Sequence, residues 1–158
     1  MTFAIHPLPY APFAPLFAMD ADALVRHRAR RSIVTEHPGA PCRVSLADAE
    51  IGETVILANH VHLPERSPYR ASHAIYVRED AREARPEPGE VPPVLTSRLL
   101  SLRGYDAEHL MQEAEAVEGT DVSTMLEAIV AVPGIAYVHV HYAKAGCFAA
   151  RATRATRA

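Results

Sequence analysis

Only one stretch of this chain has the period of an amphipathic helix, and that limits the folds open to it. Val122, Met125, Leu126, Ile129 and Val130 recur at i, i+3, i+4, i+7 and i+8, the spacing that lines one helix face. Thr120 or Asp121 supplies the N-cap and Pro133-Gly134 the stop, so the spacing predicts a helix from Asp121 to Val132. A weaker helix is expected at Asp20 to His27, which has an acidic start followed by Ala, Leu and Arg.

Most of the remaining chain has strand character broken by prolines. Phe3 to Leu8, Ser32 to Thr35, Ser72 to Arg78, Leu99 to Arg103 and Cys147 to Ala152 read as strands, and Ser45 caps a single expected helical turn. Thr54 to His62 and Ile135 to Ala143 are the clearest strands. Each has an apolar face (Val55, Leu57, Val61; Val138, Val140, Tyr142) opposite a face that carries histidine. Tyr105 to Glu118 fits either a helix, by composition, or a strand, by the alternation of Met111, Glu113, Glu115 and Val117. The segment from Glu79 to Pro93, rich in charge and proline, is loop. Together these elements predict an α+β fold: a largely antiparallel sheet with one main amphipathic helix packed on one face. One globular domain is expected over residues 1–152, with a frayed tail at 153–158.

At 158 residues, such a domain buries about 70% of the surface its unfolded chain exposes, so neither a metal nor a disulfide is required for a core. The net charge is −3 and Lys144 is the sole lysine, which argues against nucleic acid as a partner. Arginines gather locally at Arg26, Arg28, Arg30 and Arg31 and again at Arg151, Arg154 and Arg157; solvated faces are the ordinary reading of such runs. No apolar run approaches the roughly 20 residues that span a bilayer, and prolines interrupt the N-terminal apolar stretch that a secretory signal needs. A cytoplasmic protein is therefore expected. Cys42 and Cys147 are expected as thiols in that compartment, unless the fold brings them together as a disulfide.

Chemistry concentrates in a few residues. Two His-x-His triplets, His60-Val61-His62 and His139-Val140-His141, each place two imidazoles on one side of a strand. Zinc takes His nitrogen and Cys thiolate, so His139, His141, Cys147 and Cys42 form a candidate ligand set. Cys42, between Pro41 and Arg43, is also a candidate nucleophile with His139 or His141 as base. Arg43, Arg70 and Arg103 lie at element boundaries, where a guanidinium can clamp a carboxylate or phosphate. No phosphate-cradling glycine loop, nucleophile elbow or dinucleotide fingerprint is present.

Five ordered blocks carry a family resemblance. They are Pro41-Cys42-Arg43-x-Ser45-Leu46-x-Asp48-Ala49, Gly52-Glu53, Ser67-Pro68-Tyr69-Arg70, Arg103-x-Tyr105-Asp106, and His139-x-His141-x-Ala143-x-x-Gly146-Cys147-Phe148. In this order the chain resembles the bacterial family of unknown function DUF1203, which brings no activity with it. The resemblance singles out His139, His141, Cys147, Cys42 and Arg70, leaves His60 outside its blocks, and favours an extended course for Leu110 to Val117. The expectation is a site for a small polar or anionic molecule lined by Arg43, Tyr69, Arg70, Arg103, His139 and His141. A metal-assisted or Cys-His hydrolytic enzyme and a non-catalytic interaction or oligomerisation module are the alternatives. In this reading the triplet at His60 is a strand ending near solvent.

Overall fold

A computed structural model describes residues 1–156. Eight strands carry the architecture: β1 (Thr2–His6), β2 (Ala29–Ile33), β3 (Thr54–Leu63), β4 (Ala71–Arg78), β5 (Leu99–Tyr105), β6 (Met111–Glu118), β7 (Tyr137–Tyr142) and β8 (Phe148–Ala155). The helices are α1 (Ala21–Arg26), α2 (Pro93–Thr96) and α3 (Val122–Ala131), with 3-10 turns at Ala14–Ala18 and Gly119–Asp121. The class is α+β, mostly β. The strands form two sheets, of five and three strands, where the sequence suggests one. The described residues divide into two compact units, one made of residues 1–6, 61–73 and 85–156 and the other of residues 7–60 and 74–84.

In the first unit the sheet order is β1-β8-β7-β5-β6, and every pairing in it is antiparallel. Helix α3 packs against β1, β5, β6, β7 and β8, burying Val122, Leu126, Ile129 and Val130 of the predicted stripe. Each such side chain contributes about 1.5–3 kcal/mol on burial. One row across the sheet, Ile5, Ala152, Val138 and Gly104 in register, explains how closely the helix approaches. A methyl group added at Gly104 would stand 3.0 Å from Ile129 Cγ2. Arg154 finishes the helix, its Nε and Nη2 donating to the Val130 carbonyl at 2.9 and 2.6 Å.

The next row lies on the opposite face of the sheet. It reads His6, Arg151, His139, Arg103, Ala114, in direct register from β1 to β6. Strand β7 is buried at all six residues, so both faces are covered at its centre. The histidine-bearing face of β7, which the sequence sets opposite its apolar face, is itself buried: His139 is 4% and His141 0% exposed.

In the second unit β2 pairs antiparallel with β3, from Ala29↔Ala58 to Ile33↔Thr54, and β4 neighbours β3 on its other side. Asp20 caps α1, accepting from Ala23 N at 2.8 Å. Leu24, Ala29, Ile56 and Ala58 make one core cluster, and Phe13, Cys42, Val44, Ile75 and Val77 another. The last residues of β3, Val61 to Leu63, belong to the first unit.

Several expectations shift. Strand β2 starts at Ala29 rather than Ser32, because pairing with β3 sets its register. In place of a helical turn at Ser45, residues 43–47 form a turn closed by the Pro41–Asp48 bridge, with Cys42 N donating to Ala47 O and Ala49 N to Ala40 O. Tyr105 to Glu118 resolves as the end of β5 and the edge strand β6. Thr153 to Ala155 continue β8 and pair with β1, so the expected tail is ordered that far; residues 157–158 lie outside the described residues.

Candidate functional site

Because residues i and i+2 of a strand share a face, His139 and His141 project together from β7, their ring centroids 6.2 Å apart. A register shift between β7 and β8 after Val140 sets Phe148 opposite His141 where an unbroken ladder would set Ala149. The Phe148 ring thereby touches three imidazoles, stacking on His62 at 5.5 Å and meeting His139 and His141 edge-on at 5.1 and 5.9 Å. His62 comes from the final turn of β3 into the first unit. Next to it Leu63, 1% exposed, anchors in a cluster with Tyr105 and Tyr137. The His62 ring lies 4.9 Å from His141 and 5.8 Å from His139.

The three imidazoles converge. One ring nitrogen from each of His62, His139 and His141 lies within 4.8 Å of the others, the one such ligand group found among the described residues. His141 Nδ1 lies 3.0 Å from the Gly146 carbonyl. A carbonyl only accepts, so Nδ1 carries the proton and Nε2 presents its lone pair to the cluster. Gly146 takes a left-handed φ of +79°, which the tight turn after β7 requires. His141 Nε2 and His139 Nδ1 are buried with no hydrogen-bond partner. Leaving such an atom unsatisfied costs about 1–3 kcal/mol.

Burial, reinforced by nearby positive charge, keeps the His139 and His141 rings neutral. Burial, then the neighbouring His141 and His62 and the guanidinium groups of Arg151 and Arg103, push His139 down to about 3. Burial likewise takes His141 to about 3, against the opposing effect of its Gly146 bond. Neutral imidazole is the form that coordinates a metal. The wall around the cluster is aromatic: Tyr105 stacks on Tyr137 at 5.3 Å, and both contact the His139 ring. Tyr137, its phenol pushed up to about 12 chiefly by burial, meets His109 Nδ1 at 2.8 Å.

The other sequence candidates distribute as follows. Arg103 sits beside the cluster, directly opposite His139 on β5. Tyr69 is 39% exposed and packs edge-on against Tyr105 at 5.9 Å. Arg70 is exposed, and its Nη1 donates to the Pro64 carbonyl, closing the turn that follows β3. Cys147 is buried in the turn after β7, forms no disulfide, and is not in the three-histidine group. Cys42 and Arg43 belong to the second unit. Cys42 is a free thiol, fully buried, its sulfur accepting from the amides of Ser45 and Arg78 at 3.4 Å each. A thiol packed in this way offers no face to a substrate. Arg43, 1% exposed, donates to the Pro41 carbonyl. His60, in the same unit, tilts against Phe13 at 6.0 Å.

His62 corrects the reading of the first triplet as a strand end near solvent. Its neighbour Val61 is the exposed residue, at 41%, while His62 turns inward. The signal was the first His-x-His itself, since either of its histidines was available to complete the pair on β7.

An α+β protein with a cluster of three histidines, two buried and one partly buried, against a sheet face is the class that fold and site define. The chain matches the family described as Protein of unknown function (DUF1203) over residues 39–154, and it belongs to that family. The matched stretch includes His62, His139 and His141. No curated protein and no solved structure matches the chain.

Proposed function

We propose that this protein binds one divalent transition-metal ion of the zinc class through His62, His139 and His141. The observation that carries this reading is the convergence of three ring nitrogens within 4.8 Å, with His139 Nδ1 and His141 Nε2 buried and unpartnered. An ion held at 2.0–2.1 Å by each nitrogen in tetrahedral geometry needs donors about 3.4 Å apart, within reach by small side-chain rotations. The Gly146 carbonyl orients His141, and Phe148, Tyr105 and Tyr137 form an apolar collar of the kind that sharpens metal affinity. An all-nitrogen set with no cysteine suits zinc, copper, nickel or iron, and argues against calcium or magnesium, which take oxygen.

Three protein ligands leave a coordination position for water or an exogenous ligand, as in catalytic rather than structural zinc sites. The reading thus unites two expectations from the sequence, a metal and a small polar ligand, at one centre. We also place the protein in the cytoplasm, where two cysteines outside any disulfide suit a reducing compartment. No helix is long and apolar enough to cross a membrane.

Elemental analysis of protein purified without a polyhistidine tag tests the proposal. The expected result is one ion per chain, abolished in H139A and H141A variants that keep the wild-type circular dichroism. Wild-type protein that neither retains nor takes up zinc, cobalt, nickel or copper would overturn it.

A further inference from the structure

Resting on that reading, we propose that the open position of the metal centre binds a small oxyanion, clamped between the ion and the guanidinium groups of Arg103 and Arg151. Charge balance is the first argument. A divalent ion held by three neutral imidazoles brings two positive charges into an apolar collar. Arg103 and Arg151 flank His139 in the same row, one strand away on either side, and add two more. Neither arginine makes an ion pair with a carboxylate among the described residues. Arg151 lies over the Tyr137 ring at 4.5 Å, and Arg103 Nε contacts Ser101 Oγ at 3.3 Å. Glu65 and Asp106 act on Tyr137 without pairing with either arginine. Positive charge concentrated this way next to a low-dielectric wall is stabilised by an anion brought from solution.

Access is the second argument. Across β5 from the cluster, edge strand β6 places Ala114 opposite Arg103 and Ala116 opposite Ser101, and both alanines are exposed. Short side chains there leave the half-buried Arg103 and Ser101 approachable from the open edge of the sheet. The side chains of Tyr105, Arg103 and Ser101 project from the same face of β5. A ligand entering along β6 therefore meets a guanidinium fork and a hydroxyl before it reaches the histidines. The fork matches two oxygens of a carboxylate or phosphate, which a halide does not supply. This chemistry selects the ligand class as a small oxyanion with a free oxygen for the metal.

Cobalt(II)-loaded protein provides the test, because its visible d–d spectrum reports the fourth ligand while metal content is measured on the same sample. Acetate, inorganic phosphate and chloride are titrated into wild type, R103Q and R151Q. The expected result is a saturable spectral change with acetate or phosphate and none with chloride, weakened about tenfold or more in R103Q with cobalt loading unchanged. The carboxylate and phosphate arms identify which oxyanion the site prefers. Loaded protein whose spectrum ignores both oxyanions, or whose R103Q and R151Q variants titrate like wild type, would overturn the clamp and leave the metal centre standing. Protein that takes up no cobalt overturns both.

Discussion

At the residue scale, His139 makes a distinction that ordinary core residues do not. Its Nδ1 is buried and unpartnered, so in the metal-free protein the imidazole carries a desolvation cost without a compensating bond. In the proposed metal-bound form, His139 would gain a ligand bond that offsets this cost. Substituting His139→Leu should therefore have opposite effects in the two states. In excess chelator the variant should match or exceed wild type in urea stability, since an apolar side chain suits the collar of Tyr105, Tyr137 and Phe148. In zinc at 100 times its Kd, wild type should gain about 2.7 kcal/mol, and the variant should gain little. Urea denaturation with and without zinc measures both. A core histidine with no ligand role would give the same difference between variant and wild type in both conditions. The residue scale is also where the sequence was least complete. His139 and His141 stood out through i, i+2 spacing, but which third group meets them depends on contacts far apart in the chain, and only the chain path after Val61 supplies His62.

At the scale of elements, local pattern was informative wherever one periodicity dominated. The stripe from Val122 to Val130 sets α3 at Val122–Ala131, within a residue of the bounds predicted from its caps. β3, β4 and β7 fall close to where alternation placed them. Met111 to Glu118 was ambiguous because its Ala and Glu content favours helix while its alternation favours strand; pairing with β5 decides it, a tertiary effect absent from composition. The bulge that turns Phe148 onto the histidines had no local signature at all. The junction between β6 and α3 illustrates a different constraint. Gly119 is buried, and a Cβ there would stand 2.4 Å from the carbonyl oxygens of both Leu95 and Thr96 in α2. Those atoms are backbone and cannot rotate away. G119A is expected to cost about 2 kcal/mol or more, lowering the urea midpoint at unchanged m-value. A variant within 0.5 kcal/mol of wild type would mean that α2 yields easily.

At the scale of the whole molecule, the sequence led to one sheet, whereas the described residues form two, and the chain divides into two compact units. Apolar content alone does not reveal how many cores it will fill, and the division here runs through β3 and β4, two strands that read as uninterrupted. The second unit has its own electrostatic tie. Arg78 at the end of β4 donates to Glu53 Oε1 through Nε at 3.1 Å and Nη2 at 2.7 Å, and the pair is about 70% buried. Burial alone would raise the Glu53 carboxyl, but hydrogen bonds from Arg78 and the Glu50 amide outweigh it and hold the group below its ordinary value of 4.5. The sign follows directly. A carboxyl with a lowered folded-state value stabilises the fold above pH 4.5, and that stabilisation disappears as the pH falls through the folded value. For a partly exposed pair the contribution is about 1 kcal/mol or less. E53Q should therefore be destabilised by that amount at pH 7, and the gap to wild type should narrow as the pH falls below 4.5, when both are followed by urea denaturation from pH 7 to pH 3. A gap that stays constant from pH 7 to pH 3 would assign the Glu53 contribution to packing rather than to charge.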